Sequence, residues 1–113
     1  MKTASILTDI KYGETSPIVS VLINTTDTKE VRIVFKEGQD MKEHKAPYPI
    51  VVSVIKGSID FGVSTERFIL EKGMMIALEA NIPHDLKALQ NSIVRLSLNK
   101  SDNVDRPKVA TNS

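Results

Sequence analysis

The sequence predicts an all-β fold, a sandwich or barrel of short strands forming one domain, and three observations carry that expectation. Runs rich in β-branched residues, separated by turn-forming residues, recur about every 8–12 positions, the spacing of such folds. Sustained helical periodicity is missing. The chain has 113 residues, 41% of them hydrophobic and 26% charged, which suits a single soluble domain with one core.

The first expected strand, 18–23, is Ile18-Val19-Ser20-Val21-Leu22-Ile23, and Asn24-Thr25-Thr26-Asp27 ends it with side chains that favour turns. The second, 30–36, alternates: Val31, Ile33 and Phe35 share one side, the pattern of a half-buried strand. Gly38-Gln39-Asp40 closes it. In the third, 49–56, Ile50-Val51-Val52-Ser53-Val54-Ile55 is apolar on both faces. Such a strand is expected to be covered twice, by the core and by a second sheet or a neighbouring subunit, and this predicts a homodimer. Gly57-Ser58 leads into Ser58–Val63, where Ile59, Phe61 and Val63 oppose Ser58, Asp60 and Gly62. Ser64-Thr65 and Lys72-Gly73 bracket a strand at 67–70; Met75–Leu78 follows, closed by Asn81-Ile82-Pro83. The last two strands, 85–89 and 92–98, are separated by Gln90-Asn91. An early segment, 5–12, is expected as another strand, at a barrel rim or crossing to a partner. The barrel domain thus occupies 1–98, and the polar stretch 99–113, with Pro107, reads as a loose tail.

Composition excludes several functions. Fifteen Lys plus Arg against fourteen Asp plus Glu give a net charge of +1, and Lys100, Arg106 and Lys108 are too sparse for a nucleic-acid patch. No apolar run approaches the ~20 residues of a membrane helix, and the N-terminus turns polar too soon for a secretory leader, so a cytoplasmic protein without membrane partners is expected. There is no cysteine, and the histidines are His44 and His84. Disulfides, thiolate catalysis, Fe–S clusters and three-histidine metal sites within one chain are therefore ruled out.

Reactive side chains concentrate in two segments. The first runs from Gly38 through Lys42, Glu43, His44, Lys45, Ala46, Pro47, Tyr48, Pro49 and Ile50 to Gly57; the second runs from Gly73 through Met74, Met75, Glu79, Asn81 and Pro83 to His84. Alternation puts His84, Leu86 and Ala88 on one face, and turns Glu43 away from His44 and Asp85 away from His84. Lys42, Glu43 and Lys45 read as a solvated edge that discourages edge-to-edge pairing. Tyr48, between two prolines, is either a rim residue or an aromatic closing a rigid turn. Met41, Met74 and Met75 read as core filler or as soft donors.

In spacing, these segments resemble the two motifs of small single-domain cupins, within the RmlC-like jelly-roll superfamily. The first motif is a glycine, five residues, His-x-His, a glutamate three or four residues on, and a glycine after six more. Gly38, His44 and Gly57 keep the spacing, while Ala46 and Ile50 stand at the second His and the Glu. In the second motif Gly73 and His84 match, Glu79 replaces a proline, Asn81 a glycine, and Ala88 an asparagine. Asn81 is a suitable substitute because asparagine tolerates the left-handed turn conformation. The likeness covers 31–98. It implies a double-stranded β-helix, or jelly-roll barrel, with both histidines facing an interior that in many cupins holds Mn, Fe, Ni, Cu or Zn.

Two kinds of function follow from the resemblance. In one, the barrel binds a small organic ligand against Ile50, Val52, Ile76 and Leu86, with Tyr48 at the rim and His44 and His84 as polar anchors over a degenerate metal site. In the other it is an enzyme: His44 and His84 hold a divalent metal for dioxygenase or isomerase-type chemistry, or His84 acts without metal as the general base of an epimerase or isomerase. Glu79 or a methionine thioether are the further candidate metal donors.

Overall fold

The β-branched runs pair as antiparallel strands in a computed structural model that describes residues 1–100. Among these residues the strands are β1 (Ile18–Asn24), β2 (Thr28–Phe35), β3 (Asp40–His44), β4 (Ile50–Lys56), β5 (Ser58–Val63), β6 (Glu66–Glu71), β7 (Met75–Leu78), β8 (His84–Ala88) and β9 (Ser92–Asn99). They form a five-stranded sheet, β1-β2-β9-β4-β7, and a four-stranded sheet, β3-β8-β5-β6. The ladders nest: β2 pairs with β9, β3 with β8, β4 with β7, and β5 with β6. A long antiparallel ribbon thus wraps so that successive pairs fall in alternate sheets, which is the jelly-roll arrangement. The nesting carries β3 beside β8 although the two lie far apart in sequence.

The core lies between the sheets. Val31, Ile33 and Phe35 of β2, Ile50, Val52 and Val54 of β4, Ile59 and Phe61 of β5, Leu70, Leu86, Ala88 and Val94 form one cluster. Each set obeys the period-2 rule that places alternate side chains on one face. The glycines that end motif segments, Gly38, Gly57 and Gly73, all have positive φ. At Gly57 (φ +90°) a side chain would also meet the Ser92 side chain and the Asn91 carbonyl, so both conformation and space require glycine.

The structure differs from expectation in four places. No strand forms over 5–12, where the backbone turns. Instead this segment lies against the outer face of the five-stranded sheet: Arg32 Nη1 donates to the carbonyls of Ile6 (3.2 Å) and Thr8 (2.8 Å), and Gln39 Nε2 donates to that of Gly13 (2.8 Å). The second difference concerns β4. Its core-facing residues are almost fully buried, whereas Val51, Ser53 and Ile55 are half-buried. Ile55 lines an outer cleft with Ala4, Ile6, Leu22, Ile23, Glu30 and Arg95, so part of the cover expected from another subunit comes from the chain's own N-terminal segment. Third, β3 occupies residues read as a turn and a solvated edge, because Asp40-Met41-Lys42-Glu43-His44 lacks the β-branched residues that mark a strand. Strand β9 runs to Asn99, and Lys100 is tied to Asp27 and Asn24, so the first residues of the expected tail are part of the barrel; its remainder lies outside the described residues. No helix among the described residues is long and apolar enough to cross a membrane.

Candidate functional site

The two histidines meet because β3 contains an irregularity. Asp40 opposes Lys87 and Met41 opposes Leu86, after which the register shifts and His44 opposes His84. From Met41 to His44 is three steps on β3, against two from Leu86 to His84 on β8. The extra residue is a β-bulge, which re-aims the side chains beyond it. Directly opposed residues point to the same face, so Met41, His44, Leu86 and His84 all face the interior. Without the bulge Glu43 would face inward and His44 would face solvent.

The imidazole centroids are 4.4 Å apart with their planes tilted by 58°. His84 is buried, at 3% exposure, whereas His44 is exposed at the rim. Beneath His84 lies Phe61, stacked nearly parallel at 5.7 Å. Each ring is oriented by a backbone carbonyl two residues earlier: His44 Nδ1 lies 2.8 Å from the Lys42 carbonyl, and His84 Nδ1 lies 2.9 Å from that of Ile82. A carbonyl only accepts, so Nδ1 carries the proton in both rings, and in the neutral rings Nε2 keeps its lone pair. Burial pushes the His84 imidazole below its usual pKa; the Ile82 carbonyl opposes this, and the charge of a protonated His44 adds to it. His84 is thus a neutral acceptor at pH 7.

Two connections hold the motif segments around the pair. The Asn81 amide donates to the Ala46 carbonyl (2.7 Å), and Asn81 adopts φ +66°, the left-handed conformation expected for the residue replacing a glycine. At the other end of β8, Gly38 N donates to the Ala88 carbonyl and Ala88 N to the Gln39 carbonyl.

Asp85, next to His84, is committed elsewhere. Arg67 Nη2 and Nε bind Asp85 and Asp60 at 2.8 Å each. The guanidinium crosses over Gly62, where a side chain would collide with Arg67 and Asp85. Hydrogen bonds from Arg67 hold the Asp85 carboxyl below its usual range, so this carboxylate stays ionised on the far side of the sheet from the histidines.

Of the remaining predicted ligand residues, Ile50, Val52 and Leu86 are buried members of the core cluster, Ile76 packs against it, and Tyr48 is half-buried between β3 and β4. A cleft of about 350 Å³ opens beside Ile50, lined also by Val51, Ala77, Leu78, Glu79 and Leu98. The structure joins His44 to His84 and places Ile50, Val52 and Leu86 in the core with Ile76 packed against it; neither histidine lines the cleft beside Ile50. Sequence reasoning missed the Phe61 platform and the two orienting carbonyls. Alternation puts Phe61 on the apolar face, but its stacking depends on the β5–β8 register, which pairs Phe61 with Leu86 and Val63 with His84.

The donor set can be tested against a transition metal. Such an ion takes three or four protein donors in most protein sites. Here two imidazoles converge, Ala46 is a partly buried apolar neighbour of the core and Ile50 is 3% exposed within it. Among the described residues no group of three His, Cys, Asp or Glu could hold a metal ion. The residues present do not fit a metal centre of that kind.

Solved structures share this fold. An RmlC-like cupin from Desulfovibrio desulfuricans superimposes with a TM-score of 0.82 at 17% identity, over 88% of this chain and 97% of that one. A Klebsiella pneumoniae protein with a double-stranded β-helix domain gives 0.78 at 18% identity, over 91% and 94%. A cupin 2 conserved barrel domain protein from Leptotrichia buccalis gives 0.72 at 29% identity, over 80% of this chain and 44% of that one. No protein-family profile matches the chain, and no curated protein is similar to it in sequence. The chain has the fold of a small cupin domain.

Proposed function

We propose that the barrel is a binding module for a small organic ligand, recognised by the His44–His84 pair, and that its metal grip has been lost with the donors replaced by Ala46 and Ile50. The observation that carries this is the pairing of two imidazoles, each fixed through Nδ1 and each presenting Nε2, above Phe61. Small-molecule sites are mostly apolar with a few placed polar groups. Two acceptors of this kind suit a ligand that offers hydrogen-bond donors, such as hydroxyls or a protonated acid, along with an apolar body. The test is a thermal-shift screen of hydroxylated and weakly acidic metabolites on the native chain and on His84→Ala. A ligand that binds only the folded state raises the melting temperature, by ~2.7 kcal/mol of stability at a hundred times Kd. Hits that vanish in the variant support the proposal; a screen with no hit, or hits indifferent to His84, sinks it.

A second function is favoured by the state of His84. A neutral imidazole held by a carbonyl at Nδ1, with Nε2 free, has the form of a general base, as a metal-free isomerase or epimerase requires. Proton exchange into a bound ligand from deuterated solvent separates the two: incorporation that disappears in His84→Ala marks catalysis, and binding without incorporation marks a module.

A further inference from the structure

Arg32 is a buried cation whose charge no carboxylate balances among the described residues. It stands on β2, on the outer face of the five-stranded sheet, at 7% exposure. Its Nη1 donates to the carbonyls of Ile6 and Thr8, but Nε is buried without an acceptor, and among the described residues no hydrogen bond engages Nη2. Glu30 is taken by Arg95, and Asp9, one residue beyond Thr8, is exposed and forms no ion pair with Arg32. Leaving a buried donor unfilled is costly, and more so when the group is charged. Nε and Nη2 present two parallel N–H bonds along one edge of the guanidinium, the fork that receives both oxygens of a carboxylate.

The surroundings decide what kind of acid fits. Register sets Ser20 of β1 and Arg95 of β9 directly opposite Arg32, so the three share the outer face. Arg95 donates through Nε to Glu30, which also accepts from Ser97. Two arginines against one glutamate leave a single positive charge, which a carboxylate balances one for one. Beside Arg95 opens the outer cleft of about 290 Å³, walled by Ala4, Ile6, Leu22, Ile23 and Ile55; its charged lining residues, Glu30 and Arg95, are paired with each other. Apolar walls next to an unbalanced cation suit a carboxylate with a hydrocarbon body.

We propose that this outer face binds an aliphatic monocarboxylate, with its head on the Nε–Nη2 edge of Arg32 beside Ser20 and Arg95, and its chain in the cleft of Ile6, Leu22, Ile23 and Ile55. The N-terminal segment is the cover of the site. It forms no strand over 5–12, and Arg32 holds it through two uncharged acceptors. An ionised, bidentate carboxylate is the stronger acceptor, so a head entering beneath the segment improves the bonding of Arg32 rather than breaking it. This face is the opposite side of the sheet from the core, and the site is independent of the histidine pair.

Nuclear magnetic resonance titration of the full chain tests the proposal, with octanoate as the probe and 1-octanol and inorganic phosphate as comparisons. Octanoate should bind saturably and shift the Arg32 Nε–H resonance. Octanol offers the chain without the charge and phosphate the charge without the chain, so each should bind at least about tenfold more weakly. Arg32→Lys keeps the charge but loses the fork, and should weaken octanoate by a similar factor. Ile55→Glu, at a half-buried position that leaves Arg32 and its carbonyl partners intact, should abolish binding. His84→Ala should bind octanoate as the native chain does, so the ligand screen at the histidines is read on the Ile55→Glu chain, in which this outer site is closed. A native chain that does not bind octanoate overturns the proposal, as does binding that survives Arg32→Lys and Ile55→Glu unchanged. Phosphate binding as tightly as octanoate would reduce the site to a general anion site, and octanol binding as tightly would reduce it to an apolar cleft; either result overturns the assignment of a carboxylate.

Discussion

Much of what the site can do resides in single atoms, and His84 is the clearest case. Its pKa is depressed by burial, so the folded state resists protonation more than the unfolded chain, whose imidazole titrates near pH ~6.5. Below that value the unfolded chain binds the extra proton first. The stability from neutral His84 is therefore complete above about pH 6.5 and is lost as pH falls through the lower folded-state value. Melting temperature should accordingly decline on mild acidification, and His84→Phe, which keeps the stack on Phe61, should flatten that part of the curve. Asp85 contributes with the same sign at lower pH, within the carboxylate range, so the two are separable. Ser92 makes the second residue-scale prediction. It is fully buried, its Oγ accepts from Ser58 N (3.1 Å) and donates to the Gln90 carbonyl (2.8 Å). Ser92→Ala leaves a buried N–H without that partner and should cost ~1–3 kcal/mol in chemical denaturation. Neither effect is legible in the sequence, where Ser92 is one polar residue at a strand start and its donor Ser58 comes from another strand.

At the scale of elements, legibility followed side-chain chemistry. Ser58–Val63 and Met75–Leu78 were readable to the residue, and β2 and β4 nearly so, because apolar residues run or alternate there and turn residues bound them. Strand β3 was not readable. It is short, exposed and charged, and its bulge breaks the alternation that would have revealed it. The same bulge decides the site, since it turns His44 inward. Deleting Glu43 removes the extra residue, so pairing should become regular with His44 two steps from Met41, still opposite His84 and still facing inward. The nuclear Overhauser contact between the two imidazoles, expected at a 4.4 Å ring separation, should persist together with the fold signals. A deletion variant that keeps the fold but loses the contact contradicts this account of the bulge. The N-terminal segment teaches a complementary lesson. Its apolar residues suggested a strand, yet Arg32 holds it through carbonyls as an irregular cover, and a buried arginine on a strand face gives no sign in sequence of the backbone it will bind.

For the whole molecule, the fold was legible because motif spacing reports the nesting of strands: segments around Gly38–Gly57 and Gly73–His84 fall on β3–β4 and β7–β8, which the jelly roll brings together. Spacing says nothing of which positions still carry donors, and there the chain departs from the cupin motif at Ala46 and Ile50. If, as proposed, these two replacements removed a metal grip, reversing them should create one. Ala46→His/Ile50→Glu brings the converging set to three imidazoles and a carboxylate, the donors that Zn²⁺ and other first-row ions accept. Ile50 is 3% exposed, so the new carboxylate enters the apolar core and, without metal, should lower stability by several kcal/mol or be protonated. A bound cation compensates that charge, and a ligand exclusive to the folded state adds RT ln(1 + [L]/Kd). The variant should therefore melt below the native chain in chelator and recover on addition of Zn²⁺ or Mn²⁺, while the native chain responds little in either condition. An equal metal-induced rise in the native chain would show that two imidazoles suffice, and the proposed conversion of a metal cup into a ligand site would then be wrong.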